Sequence, residues 1–545
     1  MSSTESGDSP DEQKKAPPKI PIPPKPGSVS AAGSPATVAP PSTPTSPPTG
    51  AVPTSSIPPA PRPGGFVPMA PRPMGAAPAP PRPPSAPAVA QAPPTKPNMI
   101  EELWDYIINR FERTVFFGLK FTFPKKFVSP LGFLGVLTGM VFLLLGITGG
   151  LLMIYYEPTL PGCGSFSCAF SSVSNITNSV PYGWFIRDIH YTASNAMVLL
   201  AALHLYYQYF SGRFKIKNEV IWVTGMIFGL ITVLEAFTGY DIIFNQRAGL
   251  AIEIGASLAN SSPSIGPVTG SAIRLATFGS GFSDFILRLF AAHVFILPMV
   301  MILLTFFHFP RYLVFDLPVV ASVMGGIFVI GALFPVQLGT AYSPGNGQLT
   351  IPEWYLTSLY ALLRTELDKF TMAGLIPVLL LLMFAVVPFV DTSKKMSWKE
   401  RPFFAALGIT SIGQVLATTS WGAYVNPDTS LSTLARLYVD PTLYFGSMLV
   451  LTAVSFALTY AVINFLNSKE RVRKALQPMS LSFLSREWLT AILFLLIAVQ
   501  VIMNAFAVQA VASGFNSIAL FELGVIFITF SVIVHLYRYS QQLPF

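Results

Sequence analysis

Four histidines in two apolar segments are the residues of this chain whose spacing could do chemistry. They form two pairs along the sequence, His190 with His204 and His293 with His308. The first spacing, 14 residues, falls about 40° short of four helical turns, and the second, 15 residues, lies about 60° beyond four turns. Each pair therefore lies near one face of its helix, with a rise of about 21 Å between its members. If the two helices run side by side in the same direction, two imidazoles meet at each of two depths, which is the arrangement of bis-histidine haem ligation.

Glycines repeat the 14-residue spacing in two further apolar segments. Gly135 and Gly149 are 14 residues apart in one segment, and Gly225 and Gly239 are 14 residues apart in the other. A porphyrin edge needs close approach of the backbone, which the missing Cβ of glycine permits. We expect these glycines to make room for the haems, although small residues also serve ordinary helix packing in membranes.

Haem propionates would need cationic partners at the membrane edge. Arg187 and Arg288 lie three and five residues before the first histidine of each pair. We expect both arginines to bind propionates near the outer surface. At the inner level the candidates are Arg213 and Arg311, which could equally anchor the chain at lipid headgroups.

The composition excludes an ordinary soluble protein. Of the 545 residues, 52% are apolar and only 11% are charged, and the mean hydropathy is +0.55. From about residue 130, apolar runs long enough to cross a membrane follow one another with short polar connections, which predicts an all-α polytopic membrane protein. The ten predicted transmembrane helices are 130–155, 184–210, 220–244, 284–309, 318–338, 372–390, 402–420, 441–466, 487–510 and 518–537.

The basic residues predict the orientation of these helices. They crowd the connections that follow an even number of crossings, for example at Lys125, Arg213, Lys394 and Arg471. By the positive-inside rule both termini are then cytoplasmic. The formal net charge of +8 follows from this topology and from anionic lipid headgroups, so nucleic acid is not needed to explain it.

The segment that precedes the predicted helices is of a different kind. Residues 1–98 hold 30 of the 50 prolines and one aromatic residue, Phe66. Such a segment cannot bury enough apolar surface to offset its chain entropy, so we expect a disordered cytoplasmic tail. It carries no secretory signal or Arg-rich transit peptide. Residues 99–128 are predicted to form an amphipathic helix on the inner membrane surface.

The two cysteines fall in the first outer loop. Cys163 and Cys168 occur in the segment PGCGSFSC, on the oxidising side of the membrane. A short disulfide loop is expected there, the alternative being two free thiols.

Three segments of the first half resemble the cytochrome b subunit of quinol-oxidising cytochrome bc complexes. They are WFIRDIHYTASN around His190, FTGY followed by Gln246, and LRLFAAHVFILP around His293. The 15-residue second spacing is more similar to the plastid-type branch of the family than to the mitochondrial one. In total, the resemblance covers about residues 115–465.

The segment YSPGNGQLTIPEWYLTSLYALLR resembles the quinol-site segment of the same family. Oxidation of a quinol releases protons, so a site near the outer surface needs a carboxylate that can accept one. Glu353 in a partly apolar pocket fits that role, with Tyr355 as its hydrogen-bonding partner. Without the haem pattern, Glu353 would be an ordinary loop carboxylate at a helix start after Pro352. A second carboxylate, Glu235, could relay protons or be paired with a polar neighbour.

The resemblance implies a dihaem cytochrome b. Each histidine pair would hold one b-type haem, the outer haem between His190 and His293 and the inner haem between His204 and His308. Quinol would give one electron to a Rieske iron–sulfur protein and the other through both haems to quinone on the cytoplasmic side, with protons released outside. Two cysteines leave no iron–sulfur site in this chain, so that acceptor must be another polypeptide.

The resemblance also implies an organisation and a setting. Residues 129–312 would form the dihaem four-helix bundle and 313–466 the quinol-site helices. The apolar runs place two additional transmembrane helices in 467–545. Further partners would be a terminal oxidase or another electron acceptor, the lipid membrane and a second copy in a homodimer. The expected location is the plasma membrane of a prokaryote.

The chain departs from the family pattern at four points. Ile243 and Phe244 replace the Pro-Trp that follows the third span, which can reshape the quinol pocket. No histidine after His308 fits an inner quinone site, and His535 is assigned a structural role. No cysteine precedes the first span, so the additional covalently held haem of the plastid type is not expected. The last two helices have no counterpart in the usual eight-helix pattern and could be a docking surface for another subunit.

Two other functions remain open at this point. A dihaem membrane anchor of a hydrogenase or dehydrogenase would exchange electrons with quinone, but it would not need the Pro-Glu-Trp-Tyr segment. A transporter without redox chemistry would use the histidines as a proton relay, and the purified protein would show no haem absorption.

Overall fold

A computed structural model describes residues 99–111, 114, 118–125, 130–160, 163, 166–217, 219–261, 266–345, 349–468 and 485–542. The proline-rich tail over 1–98 and the basic run over 469–474 lie outside the described residues. The described part is built of helices with one short pair of strands, which confirms the all-α polytopic prediction.

The first half of the described chain holds nine helices and the first strand. They are α1 (Met99–Phe111), β1 (Lys120–Thr122), α2 (Leu134–Met153), α3 (Cys168–Asn178), α4 (Gly183–Ser211), α5 (Phe214–Lys217), α6 (Glu219–Asp241), α7 (Gln246–Asn260), α8 (Gly266–Phe278) and α9 (Phe282–His308). A 3₁₀ turn, Pro130–Phe133, leads into α2, and a π-helical turn, Ala292–Ile296, lies inside α9.

The second half continues with nine helices and the second strand. They are β2 (Tyr312–Val314), α10 (Leu317–Leu333), α11 (Trp354–Leu363), α12 (Thr371–Ala385), α13 (Val387–Val390), α14 (Pro402–Ala423), α15 (Thr433–Leu437), α16 (Pro441–Ser468), α17 (Arg486–Ala512) and α18 (Asn516–Ser540). A proline stands at the first or second position of α10, α13 and α14, where its missing N–H costs no helical hydrogen bond.

Each of the ten predicted transmembrane segments falls on a helix. Seven helices are long and apolar enough to cross a membrane by length and composition: α2, α6, α9, α14, α16, α17 and α18. The other three predicted segments correspond to α4, α10 and α12. The last two are shorter apolar helices, whereas α4 has 29 residues but carries polar side chains such as Arg187 and Asp188.

The helices α2, α4, α6 and α9 form a closed ring in which each packs on the next. A seam of apolar side chains holds this bundle, with Val141 from α2, Ala193 and Met197 from α4 and Met301 from α9. Across the seven long apolar helices, at most 28% of the residues in the most apolar stretch are buried inside the chain. Their remaining apolar surface faces outward, as expected for helices in lipid.

The predicted amphipathic helix over 99–128 is wrong in its second half. The structure has helix over Met99–Phe111, and Lys120–Thr122 then form β1, which pairs in parallel with β2. The Lys120 N–H donates to the Arg311 carbonyl at 2.9 Å, and the Phe315 N–H donates to the Thr122 carbonyl at 2.9 Å. Aromatic and β-branched residues before Pro124 favour the extended backbone that this pairing needs.

The connections between α2 and α4 and between α6 and α9 contain the disulfide that the sequence analysis expected and three helices that it did not predict. Cys163 and Cys168 are joined by a disulfide, which decides between the two alternatives left open for these cysteines. The helix α3 starts at Cys168, where the hydroxyl of Ser167 accepts a hydrogen bond from the Phe170 N–H as its N-cap. The helices α7 and α8 follow α6 in the next outer connection.

The last helix packs mainly against α10 of this same chain. A Cβ on Gly325 would stand 2.5 Å from the Gly524 carbonyl oxygen, so the two backbones are in direct contact. At one end of this contact the buried Asp316 accepts from Arg538 Nη1 at 2.8 Å, with His535 Nε2 4.0 Å from its other oxygen. The final two helices are thus attached to the body of the chain by close packing and by an ion pair.

Candidate dihaem centre and quinol site

The four histidines of the sequence pattern meet as two pairs in the bundle. The ring centroids of His190 and His293 are 6.3 Å apart, and those of His204 and His308 are 6.2 Å apart. An imidazole nitrogen lies about 2 Å from a bound metal ion and about 1 Å from its own ring centre, so two ligands on opposite sides of one metal have centroids about 6 Å apart. Both pairs fit a bis-histidine metal centre.

The π-helical turn in α9 explains how pairs with unequal spacing can meet at both depths. A π turn takes up one extra residue relative to an α-helix. Because Ala292–Ile296 lies almost entirely between His293 and His308, their 15-residue separation acts as 14. The second pair then falls about 40° short of four turns, the same offset as the first pair.

Hydrogen bonds at Nδ1 orient three of the four rings. The Nδ1 of His293 lies 3.0 Å from the Glu235 carbonyl oxygen, and that of His308 lies 2.9 Å from the Ile221 carbonyl oxygen. The Nδ1 of His190 lies 2.9 Å from the Thr148 hydroxyl, which itself donates to the Leu144 carbonyl. Because these oxygens accept, Nδ1 carries the proton in each ring, and the lone pair of Nε2 is left to bind a metal.

Glu235 is paired with a polar neighbour. Its Oε1 lies 3.2 Å from His293 Nδ1, beside the hydrogen bond that the backbone carbonyl of Glu235 makes to the same nitrogen. Of the two roles left open for Glu235, the structure therefore favours support of the histidine over a free proton relay. A carboxylate behind a ligating imidazole fixes its tautomer and increases its basicity.

The four glycines each stand directly behind a histidine. Cβ atoms added to them would approach the imidazole Cε1 atoms: Gly135 to His204 at 2.9 Å, Gly149 to His190 at 3.1 Å, Gly225 to His308 at 2.6 Å and Gly239 to His293 at 2.5 Å. Real Cβ contacts are almost never shorter than 3.0 Å. The space beside each glycine is thus occupied by the ligand ring, whereas the sequence interpretation assigned it to a porphyrin edge.

A cavity of about 1070 Å³ opens beside the inner pair. Its walls include His204, His308 and Gln208, together with Arg213, whose guanidinium lies 5.3 Å from the Tyr207 ring centroid. This volume is at the upper end of the range of about 300–1,000 Å³ for ligand pockets. The inner site therefore combines two imidazoles, space and a cation, and Arg213 fits the role of an inner propionate partner.

The two arginines predicted to bind outer propionates have other partners. Arg187 is buried and donates from Nη1 to the Thr177 hydroxyl and to the Val336 carbonyl, each at 3.2 Å. Arg288 donates from Nη1 to the carbonyls of Leu275 and Ala276 at 2.6 Å, at the C-terminal end of α8. Free helix-terminal carbonyls and loop carbonyls are strong acceptors, so these arginines stabilise the outer connections.

Glu353 forms an ion pair that the sequence interpretation missed. Its Oε1 accepts from Arg247 Nη1 at 2.6 Å, and its Oε2 accepts from the Tyr191 hydroxyl at 3.2 Å. Tyr191 directly follows His190, so the hydrogen-bond partner of the carboxylate is the sequence neighbour of a histidine of the first-named pair, His190 with His293. The available signal was Arg247 itself, a cation directly after Gln246 in an outer connection that is otherwise poor in basic residues.

The two aromatic residues of the Pro-Glu-Trp-Tyr tetrapeptide, Trp354 and Tyr355, contact the four-helix bundle. The Trp354 indole N–H donates to Asn195 Oδ1 at 2.7 Å, and the Tyr355 hydroxyl donates to the Ala236 carbonyl at 3.2 Å. Pro352 and Tyr355 also line the cavity that reaches His204 and His308. The predicted pairing of Tyr355 with Glu353 is not among these hydrogen bonds, and Tyr191 takes that place.

The Ile-Phe departure lies in the turn before α7, and neither residue is among those that line the cavity. Phe244 is buried at φ 53°, a left-handed conformation that is unusual for a bulky residue and marks local strain. Next to it Asn245 caps α7 and donates from Nδ2 to the Leu338 carbonyl at 2.8 Å. The Gln246 N–H donates to the Thr340 carbonyl at 2.8 Å. The first turn of α7, which carries Arg247, is therefore fixed to the segment that leads to Glu353.

Two family models match this chain. The one described as Cytochrome b/b6/petB matches residues 120–313, and the one described as Cytochrome b(C-terminal)/b6/petD matches residues 348–445. The first match contains both histidine pairs, and the second contains the Pro-Glu-Trp-Tyr segment.

Individual relatives agree with these matches. A protein named Cytochrome b6 from Desmonostoc sp. is 36% identical over 177 residues, which are 32% of this chain and 78% of that protein. A Cytochrome bc complex cytochrome b subunit from Chlorobaculum thiosulfatiphilum is 26% identical over 332 residues, or 54% of this chain and 74% of that protein. A solved structure described as a Hyperthermophilic respiratory Complex III covers 65% of this chain and 99% of its own, with a TM-score of 0.44 and 21% identity.

Proposed function

The chain belongs to the cytochrome b/b6 family, and on that premise we propose that it oxidises a quinol at the outer face of a membrane, as the cytochrome b subunit of a bc-type complex. The observation that carries the proposal is the position of Glu353. It lies one hydrogen-bonded residue, Tyr191, away from the outer histidine pair, at the start of the helix that carries Tyr355. A proton acceptor and an electron acceptor would thus stand beside one pocket.

The two histidine pairs would hold two b-type haems. His190 with His293 would bind the outer haem, and His204 with His308 the inner haem, which their centroid separations and Nδ1 hydrogen bonds support. When bound, the haems would supply a one-electron relay from the outer to the inner side of the membrane. The protein's part is to orient the imidazoles and to leave room behind them at the four glycines.

The quinol would bind at the outer end of the cavity, against Pro352 and Tyr355. Loss of two electrons from a quinol releases two protons, and the Glu353 carboxylate can accept one of them at the outer side. One electron would go to a Rieske iron–sulfur protein. That acceptor must be a separate polypeptide, since the only two cysteines of this chain are bonded to each other.

The membrane setting follows from the charge distribution. With both termini on the cytoplasmic side, protons taken up by Glu353 would leave to the outside while negative charge moves inward. The proposed location is a prokaryotic plasma membrane, in an assembly that contains quinone, lipid and a terminal oxidase or another acceptor. The match of the C-terminal family model favours this function over a dihaem anchor of a dehydrogenase, which does not need the tetrapeptide.

The test combines a spectrum with an activity. A reduced-minus-oxidised spectrum with haem quantitation on the purified complex should give two b haems per chain for the wild type and one for His204→Ala. His535→Ala is the matched control. His535 belongs to neither histidine pair and contacts Ser531 and Asp316, so this substitution should leave both haems bound. Quinol-dependent reduction of an added iron–sulfur acceptor should be lost in Glu353→Gln. Absence of haem from the wild type would overturn the proposal.

A further inference from the structure

Glu353, the proposed proton acceptor, stands in an ion pair whose two ends have different surroundings. The Glu353 side chain is 12% exposed and that of Arg247 is 44% exposed, and their nearest atoms are 2.6 Å apart. The guanidinium therefore reaches outer solvent, while the carboxylate is shielded. Such a pair can open, because the arginine remains hydrated when it loses its partner.

The first turn of α7 holds Arg247 in place. The side chain of Asn245 accepts the Ala248 N–H at 2.9 Å and donates to the Leu338 carbonyl, and the Gln246 side chain accepts the Ser343 N–H at 2.8 Å. These bonds connect the start of α7 to the segment just before Glu353. Hydrogen bonds thus fix the backbone that carries Arg247 next to the Glu353 carboxylate. A free surface loop would not hold an arginine in this position.

The other ionisable groups near the carboxylate are phenols and one carboxyl. Tyr191 of α4 donates to Glu353. Tyr355 of α11 and Tyr240 of α6 each interact electrostatically with both Glu353 and Arg247. The buried Asp241 interacts electrostatically with these two tyrosines. Among the described groups that face Glu353, Arg247 is the cation.

We propose that Arg247 is a positioning residue that holds the Glu353 carboxylate toward the outer surface, so that the carboxylate can take a proton from quinol and release it beside the guanidinium. This inference rests on the proposed quinol oxidation. In that reaction, the quinol O–H bond breaks, Glu353 becomes a carboxylic acid, and the electron goes to the iron–sulfur protein. When the acid loses its proton to outer water, the ion pair with Arg247 forms again.

The test is the pH profile of quinol oxidation by the intact complex with an added iron–sulfur acceptor. A carboxylate without its cationic partner binds protons more readily, so it is already protonated at higher pH and cannot accept the proton of quinol. In Arg247→Gln the acid limb of the profile should move up by about 0.5 to 1 pH unit, a shift reduced by the partial exposure of the pair. Arg247→Lys, which keeps the charge, should stay close to the wild type.

Matched controls separate this inference from the function on which it rests. Arg274→Gln removes the same charge from the neighbouring outer helix α8 and should leave the profile unchanged. If Glu353→Gln loses quinol oxidation while the pH profile of Arg247→Gln matches that of the wild type, the role of Arg247 is wrong and the function stands. If Glu353→Gln has the wild-type rate and profile, the proposed function fails instead.

A second variant covers the case in which Arg247→Gln does not assemble, as judged from its haem spectrum. Arg247→Met also removes the charge and keeps an apolar stem at the same position. Its acid limb should move toward higher pH in the same direction as that of Arg247→Gln. An acid limb that stays at the wild-type position in the assembled variant would overturn the inference.

Discussion

Gly225 lies so close behind His308 that a Cβ on this glycine would stand 2.6 Å from the imidazole Cε1. The backbone of one bundle helix thereby sets the position of a ring on another. The same relation recurs at the other three paired histidines. The spacing of the glycines in the sequence is therefore linked to the spacing of the histidines.

Gly225→Ala should displace His308 and remove the inner haem, because the added methyl group and the imidazole cannot both occupy the space. We expect about half of the haem per chain to be lost, measured by haem quantitation and a reduced-minus-oxidised spectrum. Gly446→Ala is the control, since a Cβ on this exposed glycine of α16 meets nothing within 4 Å and the residue does not line the cavity. Equal haem content in the two variants would contradict this assignment.

Deletion of Phe295 tests the π-helical turn. This side chain is 62% exposed, and the turn Ala292–Ile296 holds one residue more than an α-helix needs. Removing it leaves His293 and His308 14 residues apart in continuous α-helix, so the inner haem should be retained. Deleting Phe295 and Ile296 together should rotate His308 by about 100° and release that haem. The haem content of the two deletion variants tests both expectations. Equal haem loss in the two variants would refute the explanation that the π turn takes up one extra residue.

Asp391 should make the stability depend on pH. It lies outside the spans, and burial acts to raise its pKa, but hydrogen bonds from Lys215, Arg401 and Ser393 outweigh burial and hold the pKa below its ordinary value. A carboxyl with a lowered folded-state pKa stabilises the fold above its unfolded pKa of about 4, and this contribution is lost as the pH falls through the folded value.

Asp391→Asn should therefore destabilise the protein at pH 7 by about 3 kcal/mol, since it leaves two cations without their buried partner. The difference from the wild type should shrink as the pH falls below about 4. Thermal unfolding of the purified complex across this range measures both effects. The exposed Glu400 nearby is the control, and Glu400→Gln should change the stability little at any pH.

Gly325→Ala should loosen the last two helices. Its Cβ would stand 2.5 Å from the Gly524 carbonyl, so α18 must move away from α10, at a cost of about 1–3 kcal/mol. Gly326→Ala is a sharp control, because a Cβ at this adjacent position meets nothing within 4 Å. Protease sensitivity of α17 and α18 in detergent should rise in the first variant only. A similar rise in both would show that close packing at Gly325 is unimportant.

The helices were predictable from the sequence because their signal is local. A run of about twenty apolar residues identifies a span without knowledge of its neighbours, so each of the ten predicted segments falls on a helix. The spacing of His190 and His204 likewise depends only on the helical period. The π turn that reconciles His293 with His308 was not predictable, because it is a small change in winding stabilised by the packing of the whole bundle.

The contacts of the arginines, in contrast, could not be predicted from the local sequence. Arg187 and Arg288 stand near histidines in the sequence, yet their guanidinium groups donate to loop and helix-end carbonyls whose positions come only with the tertiary fold. Arg247 and Glu353 are 106 residues apart, so the isolated cation in its connection was a signal, but the sequence did not show that Glu353 is its partner. The second half of the helix predicted over 99–128 failed for a similar reason, since β1 exists only through its pairing with β2.

Four contacts tie the tetrapeptide segment to the histidine bundle. They are Glu353 with Tyr191, Glu353 with Arg247, Trp354 with Asn195, and Tyr355 with Ala236. The peptide between α10 and α11 adds to these contacts, because its Leu338 and Thr340 carbonyls accept hydrogen bonds from Asn245 and Gln246 at the start of α7. Cutting the chain in this stretch would therefore remove support from the turn that carries Arg247, while the four contacts of the tetrapeptide itself would still join the two parts.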